Sequence, residues 1–218
     1  MSWIALLLCA VFLSALSSLL QRVLMKADKS DPFAYSVVFQ ILGGLVIGAF
    51  ATVKGFVVPP FAQYPINFLL LTILYGSGTV FLFNAYKYLE ASEVTILTSV
   101  RSIVVIATAV FLLGEAFNFQ KVVGTFLILL SVFLLSKNIG RIKFNKGILY
   151  VLGMALCYGS AITNDAYLLP HVDVFSYTAV GFFLPGLFLV LVKPKVVLQL
   201  KPFLNTKIFA KMLALVLC

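Results

Sequence analysis

The stretch that decides the fold runs from Phe83 to Ser136 and reads FNAYKYLEASEVTILTSVRSIVVIATAVFLLGEAFNFQKVVGTFLILLSVFLLS. A polar, helix-compatible corner at residues 87–93 opens an apolar run that ends at Leu113, and a second apolar run covers residues 122–135. The hydrocarbon core of a bilayer needs about 20 apolar residues, because each helical residue rises about 1.5 Å. Both runs are long enough, or nearly so, and the stretch therefore predicts two transmembrane helices.

The composition of the whole chain is that of a membrane protein. Of its 218 residues, 62% are hydrophobic and 11% are charged, and the mean hydropathy is +1.13. An ordinary globular domain carries about 25% charged residues, so a soluble fold would lack a water-compatible surface. The net charge of +9 arises from cations that lie mostly between apolar runs. We therefore predict an all-α polytopic membrane protein that contacts the lipid bilayer and no nucleic acid.

Apolar runs separated by short polar links predict seven complete spans. The first run lacks the basic start of a signal peptide, so we expect it to be retained as a helix. An eighth run begins at Ile208 and stops at Cys218, about half of a crossing. Because a half-crossed helix would leave carbonyls unpaired in lipid, we expect the second unit to be truncated in this chain. The predicted spans are residues 3–23, 33–53, 66–86, the two runs described above, 147–169 and 175–192.

A short repeat at an offset of 142 residues relates the two parts of the chain. The segment DPFAYS at residues 31–36 aligns with DVFSYT at residues 173–178, each just before an apolar run. A unit of five spans used twice must be upside down in its second copy, because five is odd. The repeat predicts a first five-helix unit at residues 1–140 and the start of a second, inverted unit at residues 147–218.

Basic residues are distributed unevenly among the loops. The first, third, fifth and seventh loops hold twelve lysines and arginines, whereas the second, fourth and sixth hold two. Cytoplasmic loops of membrane proteins are enriched in these residues, so the odd-numbered loops should be cytoplasmic and the N-terminus outside. The bias reverses between the first loop and its repeat partner, the sixth, as an inverted second unit requires.

Arg101 is a permanent cation well inside the fourth predicted span. An arginine near the bilayer centre costs about 2.5–3.5 kcal/mol on insertion scales, so it should face protein or water. On a regular helix, Thr98, Arg101 and Thr108 would share one polar face towards a central cavity. Arg101 could attract an anionic or zwitterionic solute in a transport path. Alternatively, it could hold helices together by binding backbone carbonyls or a buried acid.

Asp165 is the one plausible intramembrane acid. It follows Asn164 near the end of the sixth span, where a solvated helix end is the favoured interpretation and a gating or proton-coupling acid is the alternative. Three neutral polar residues, Asn84, Tyr75 and Gln40, lie in runs of membrane-spanning length. Each could bind a solute or join two helices.

Enzyme chemistry has little support in the sequence. There is no HExxH, no nucleophile elbow and no phosphate-binding GxxxxGK segment. The three cysteines, Cys9, Cys157 and Cys218, lie in apolar runs without CxxC spacing. We therefore expect no enzyme activity, no cofactor and no metal site.

The opening stretch resembles a known transporter unit. AYKYLEASEVTILTS, then FLLGE, then VVGTFLILLSVFLL are similar to the closing spans of the EamA unit of the drug/metabolite transporter superfamily. The family-signature positions matched include Gly114, Glu115 and Gly124. The resemblance implies ten helices in two inverted repeats around a central cavity. Members commonly have proline where this chain has Ser102, and Arg101 before it predicts a more cationic cavity.

These observations lead to one functional hypothesis and one alternative. The hypothesis is a secondary transporter or exporter in the plasma membrane that moves a small metabolite, amino-acid-like solute or drug by alternating access. A homodimer remains possible. The alternative is a non-transporting membrane subunit or scaffold of a larger complex, and an intramembrane enzyme is a distant third.

Overall fold

Helices account for nearly all of the structure, a computed structural model that describes residues 3–26, 31–114, 116, 118–138 and 145–217. No strand occurs among these residues, and three short 3₁₀ segments join helices at Thr98–Val100, Leu169–His171 and Pro194–Leu204. The α-helices are α1 (Trp3–Met25), α2 (Pro32–Lys54), α3 (Pro65–Tyr88), α4 (Ala91–Leu97), α5 (Arg101–Leu113), α6 (Phe119–Asn138), α7 (Lys146–Leu168), α8 (Val174–Val192) and α9 (Thr206–Leu217). The predicted all-α class is confirmed.

Side chains at the helix starts explain where several helices begin. The carboxylate of Asp31 accepts a hydrogen bond from Phe33 N at 2.9 Å, and Pro32 occupies the first turn of α2. Asp173 starts α8 in the same way, accepting from Ser176 N at 2.9 Å. The two aspartates that define the sequence repeat are therefore both helix caps.

Six helical segments of the described chain are long and apolar enough to cross a membrane. They correspond to the first four predicted spans and to the sixth and seventh. The predicted fifth span lies in α6, whose apolar stretch Phe119–Ser131 belongs to the described residues. The start of the predicted eighth span lies in α9. Seven complete spans and an inverted repeat stay predictions. The crossing segments are Trp3–Met25, Pro32–Lys54, Pro65–Tyr88, Ala91–Leu113, Lys146–His171 and Val174–Val192.

The fourth crossing segment is broken next to Arg101. A 3₁₀ turn at Thr98–Val100 separates α4 from α5, so Arg101 is the first residue of α5. A 3₁₀ turn has about three residues per turn instead of 3.6, which changes the direction of the side chains on either side of it. The helix is thus interrupted although the chain has Ser102 where the resembling family commonly has proline.

The corner before α4 is also not helical throughout. α3 ends at Tyr88, and Glu90 is the N-cap of α4, with its backbone N–H donating to Glu93 Oε2 at 2.8 Å. Residues 87–93 were expected to form a polar, helix-compatible corner, and the capping contact explains why a new helix begins there.

The centre of the fold consists of two helix pairs, α2 with α8 and α3 with α7. Close contact is possible because glycines lie in the interfaces. A Cβ added at Gly78 on α3 would lie 2.5 Å from the ring of Tyr158 on α7. The largest buried apolar side chains around the pairs include Met25, Leu71, Phe83, Met154, Leu168 and Met212.

Contacts between helix termini define the two ends of the bundle. At one end, Arg22 Nη1 donates to Tyr86 O at 2.7 Å, and Lys193 Nζ lies 3.5 Å from Asp31 Oδ2. At the other end, Phe50 and Phe175 are in edge contact at 5.2 Å between centroids. α2 therefore begins where α8 ends, and these two helices are antiparallel.

Candidate solute cavity

A cavity of about 370 Å³ lies among α2, α3, α5, α7 and α8. Its volume falls near the lower end of the range for small-molecule sites, about 300–1,000 Å³. Helices from both ends of the sequence contribute to its wall, so neither part of the chain forms it alone. The lining residues are Phe39, Gln40, Leu71, Tyr75, Thr79, Leu82, Arg101, Tyr158, Ile162, Asp165, Tyr177, Thr178, Gly181 and Phe182.

One side of the cavity carries a hydrogen-bond network centred on the buried Thr79. Its hydroxyl donates to Tyr75 O at 2.8 Å and accepts from Gln40 Nε2 at 2.5 Å. The Tyr158 hydroxyl lies 2.9 Å from the same oxygen. Because Thr79 has one proton and uses it on Tyr75 O, Tyr158 is the donor in this last bond. The network joins α2, α3 and α7.

Gln40 is incompletely paired in this network. Its side chain is 2% exposed, and its Oε1 has no hydrogen-bond partner among the described residues. A buried polar atom without a partner costs about 1–3 kcal/mol. Because this oxygen is itself buried, it does not face the free space of the cavity in this conformation.

Asp165 is held by two tyrosines from different helices. Tyr75 on α3 donates its hydroxyl to Asp165 Oδ2, and Tyr177 on α8 donates to Oδ1 at 2.6 Å. The carboxylate on α7 thus connects three helices in the cavity wall. The sequence favoured a solvated helix end for this residue; the structure shows Asp165 half-buried and hydrogen-bonded to tyrosines of α3 and α8.

Arg101 lines the same cavity from α5, with an exposed side chain. It lies close enough to Tyr75 and Tyr158 to interact electrostatically with their hydroxyls. Within the described part of the chain, its guanidinium makes no hydrogen bond and no ion pair, including none to Asp165 within 4.0 Å. The alternative role of binding backbone carbonyls or a buried acid is not realised in this conformation.

Apolar side chains complete the cavity. Phe39 on α2 and Phe182 on α8 are in edge contact, with ring centroids 5.9 Å apart. Leu71, Leu82 and Ile162 supply aliphatic surface. The cavity therefore combines an apolar wall with a few fixed polar groups, as small-molecule sites do.

Four of the eight predicted solute-path residues meet in this cavity: Arg101, Tyr75, Gln40 and Asp165. The other four do not line it, and each has its partner elsewhere. Thr98 Oγ1 donates to Thr95 O at 2.7 Å, and Asn84 Nδ2 donates to Val80 O at 2.8 Å, both within one helix. Of the expected polar face of Thr98, Arg101 and Thr108, only Arg101 lines the cavity.

The remaining two predicted residues join helices. Thr108 Oγ1 lies 2.6 Å from Thr163 Oγ1, which connects α5 to α7. Asn67 Nδ2 donates to Asn164 Oδ1 at 2.7 Å, while Asn164 Nδ2 donates to Asn67 O at 3.1 Å. Asn164 thus fixes α7 against α3 beside the cavity instead of facing it.

Sequence reasoning did not select four polar residues of the cavity, Thr79, Tyr158, Tyr177 and Thr178. A usable signal existed for two of them. Thr79 is four residues after Tyr75, and Tyr158 is seven before Asp165, so each pair shares a helix face. Tyr177 gave no such signal, because its partner is on another helix.

The family-signature residues lie away from the cavity where the structure describes them. Gly114 ends α5 with φ 66°, a left-handed conformation that favours glycine. Gly124 is on α6 with no atom within 4 Å of an added Cβ. Glu115 lies outside the described residues. Among those described, no group of three or more His, Cys, Asp or Glu side chains could hold a metal ion.

Comparison with known proteins identifies the first part of the chain. A model of the EamA-like transporter family matches residues 1–137, more than half of the sequence. No curated protein matches the chain. The matched part contains Gln40, Tyr75, Thr79 and Arg101, whereas Tyr158, Asp165 and Tyr177 follow it.

Proposed function

The chain belongs to the EamA-like transporter family of the drug/metabolite transporter superfamily, and we propose that it is a secondary transporter whose solute binds in the cavity described above. The solute is a small metabolite, an amino-acid-like compound or a drug. It crosses by alternating access, with export across the plasma membrane as the expected direction. No enzyme chemistry is part of this proposal.

The observation that carries the proposal is the meeting of Arg101 and Asp165 in one cavity between crossing helices. Ionisable residues inside a membrane are costly and usually mark solute or ion pathways. Here the two charges line the same space and do not neutralise each other by direct contact.

The packing of α2 against α8 supports an inverted repeat. Both helices begin with a capping aspartate of the sequence repeat, Asp31 and Asp173, and the two helices are antiparallel. Antiparallel equivalents are expected when the second unit is upside down relative to the first. We propose that residues 1–140 and 147–218 are these two units.

A buried cluster beside the cavity is suited to act as a gate. It contains Phe68, Leu71, Leu168 and Tyr177, at the end of the bundle where α3 begins and α7 ends. Leu71 and Tyr177 also line the cavity. We propose that this cluster closes the cavity towards the outside, and that rocking of the two units opens it.

Filling the cavity tests the proposed function. A Cβ added at Gly181, which lines the cavity, would lie 3.7 Å from Leu71 Cδ1, an ordinary contact, so a larger side chain can enter the free space. In proteoliposomes screened with a library of small solutes, Gly181→Phe should abolish transport, and the matched Gly181→Ala should retain it. Failure of the wild-type protein to move any solute would favour the scaffold function, and equal transport by Gly181→Phe would place the path elsewhere.

A further inference from the structure

The two charged residues of the cavity come from different helices and have different surroundings. Asp165 on α7 accepts two tyrosine hydroxyls and no cation within 4.0 Å, whereas Arg101 on α5 has no partner in the described part of the chain. Each carboxylate oxygen can accept a further hydrogen bond, and a guanidinium offers five N–H donors. We call Arg101 the positive pole and Asp165 the negative pole of the cavity. Each pole can therefore form further hydrogen bonds with a solute.

A solute with only one charge would neutralise only one pole. A simple anion could bind Arg101, but Asp165 in the same cavity would repel it and would remain without a cation. A simple cation would meet the reverse problem at Arg101. A bound solute displaces water from both side chains, so a charge that it leaves uncompensated is unfavourable. A molecule that carries both charges compensates both poles and leaves the net charge of the site unchanged.

We propose that the cavity selects zwitterionic solutes, with the carboxylate at Arg101 and the ammonium group at Asp165. This inference rests on the proposed function and narrows its substrate class. The two tyrosine hydroxyls fix the carboxylate of Asp165, so the cation meets an oriented acceptor. Tyr75 and Tyr177 are accordingly positioning residues for the ammonium pole.

The apolar wall defines the rest of the solute. Phe39 and Phe182 offer ring surface for an apolar side chain. Together with the volume of about 370 Å³, these features fit a small amphipathic zwitterion.

Three probes of matched size separate the charge classes. Leucine carries both charges, leucinamide only the cation and 4-methylpentanoate only the anion. Thermal unfolding of the purified full chain in detergent is measured with each probe, and ligands that bind the folded state raise the melting temperature. Leucine should bind at least about tenfold more tightly than either single-charge probe, since loss of one charged contact typically costs that much.

Two variants exchange the preference. Asp165→Asn removes the negative charge, so 4-methylpentanoate should bind this variant at least as well as leucine does. Arg101→Gln removes the positive charge, so leucinamide should bind that variant at least as well as leucine does. Thr98→Val is the control, because Thr98 bonds a carbonyl of its own helix outside the cavity. This control should keep the wild-type order of the three probes. Unchanged preference in both pole variants would overturn the proposal.

Failure of this inference and failure of the proposed function give different results. If 4-methylpentanoate or leucinamide stabilises the wild-type protein as well as leucine does, zwitterion selection is wrong. The same holds if glycine, alanine, leucine and phenylalanine all fail to stabilise it. Transport of another solute class by proteoliposomes, blocked by Gly181→Phe, would in that case leave the proposed function intact.

Discussion

Gly44 and Gly186, which are 142 positions apart, make reciprocal close contacts across the α2–α8 interface. A Cβ added at Gly44 would lie 2.9 Å from Phe183 N, and one added at Gly186 would lie 2.8 Å from Ile41 Cγ1. Phe183 and Ile41 are also 142 positions apart. Gly44 therefore contacts Phe183, while its repeat equivalent Gly186 contacts Ile41, the repeat equivalent of Phe183. A two-fold axis between the helices produces such an exchange of equivalent contacts. This reciprocity adds support to the proposed inverted repeat.

Substitution of Gly44 should destabilise the protein. In Gly44→Ala the new methyl group would meet the backbone of Phe183, which cannot move without shifting α8, so we expect a loss of about 1–3 kcal/mol. Gly48→Ala is the control, because its Cβ would lie 3.9 Å from Ala179 Cβ, an ordinary contact. Reversible unfolding in detergent measures both variants. Equal stability of the two would show that the α2–α8 contact is not tight at Gly44.

Removal of a tyrosine hydroxyl from Asp165 should loosen the cavity wall. Tyr177→Phe keeps the ring and deletes the donor at 2.6 Å, so we expect a loss of about 1–3 kcal/mol. In a double-mutant cycle with Asp165→Ala, the combined loss should be smaller than the sum of the single losses, because both changes remove the same bond. Unfolding free energies of the four proteins check this coupling, and strictly additive losses would argue against the bond.

Arg22 should contribute more to stability than its partner Glu90. Its guanidinium donates to Glu90 Oε1 at 2.7 Å and also to the carbonyls of Tyr86 and Lys87 at the end of α3. We expect Arg22→Ala to cost about 1–3 kcal/mol and Glu90→Gln at most about 1 kcal/mol, because Glu90 is largely exposed. Unfolding of both variants at neutral pH measures the difference.

The contribution of the Arg22–Glu90 pair should also depend on pH. The hydrogen bond from Arg22 lowers the pKa of Glu90 below its usual value, and the charges of Arg22 and Lys26 lower it further. The stabilisation is therefore present above about pH 4.3, the ordinary value for glutamate, and is lost as the pH falls through the lowered pKa. The stability difference between wild type and Glu90→Gln should disappear over this acidic range. A difference that persists at still lower pH would contradict the assignment.

The predicted topology can be tested with single cysteines in a background without Cys9, Cys157 and Cys218. Gln63→Cys and Lys195→Cys place exposed thiols at opposite ends of the bundle. If the basic loops are cytoplasmic, a membrane-impermeant thiol reagent added to intact cells should label position 63 and not position 195. The opposite pattern would reverse the orientation. Labelling of both positions after permeabilisation serves as the control.

The sequence contained enough information to find four cavity residues but not to assemble them. Arg101, Gln40, Tyr75 and Asp165 were recognisable because each is a polar residue in a run of membrane-spanning length. Thr98, Thr108, Asn84 and Asn164 satisfied the same criterion, and their own-helix or interhelical partners keep them out of the cavity. Polarity alone does not distinguish these two groups.

The sequence by itself determined that the chain forms apolar helices, because in lipid every backbone N–H and C=O must be paired within its own segment. It also placed Asp31 and Asp173 just before apolar runs, and it indicated an EamA-type unit. Only the tertiary structure decided which side chains meet. The 3₁₀ turn at Thr98–Val100 changes the direction of Arg101, and glycine contacts bring α3, α7 and α8 close enough for Tyr75 and Tyr177 to reach Asp165. Helix rotation and interhelical distance depend on packing along whole interfaces, and no local pattern of residues specifies them.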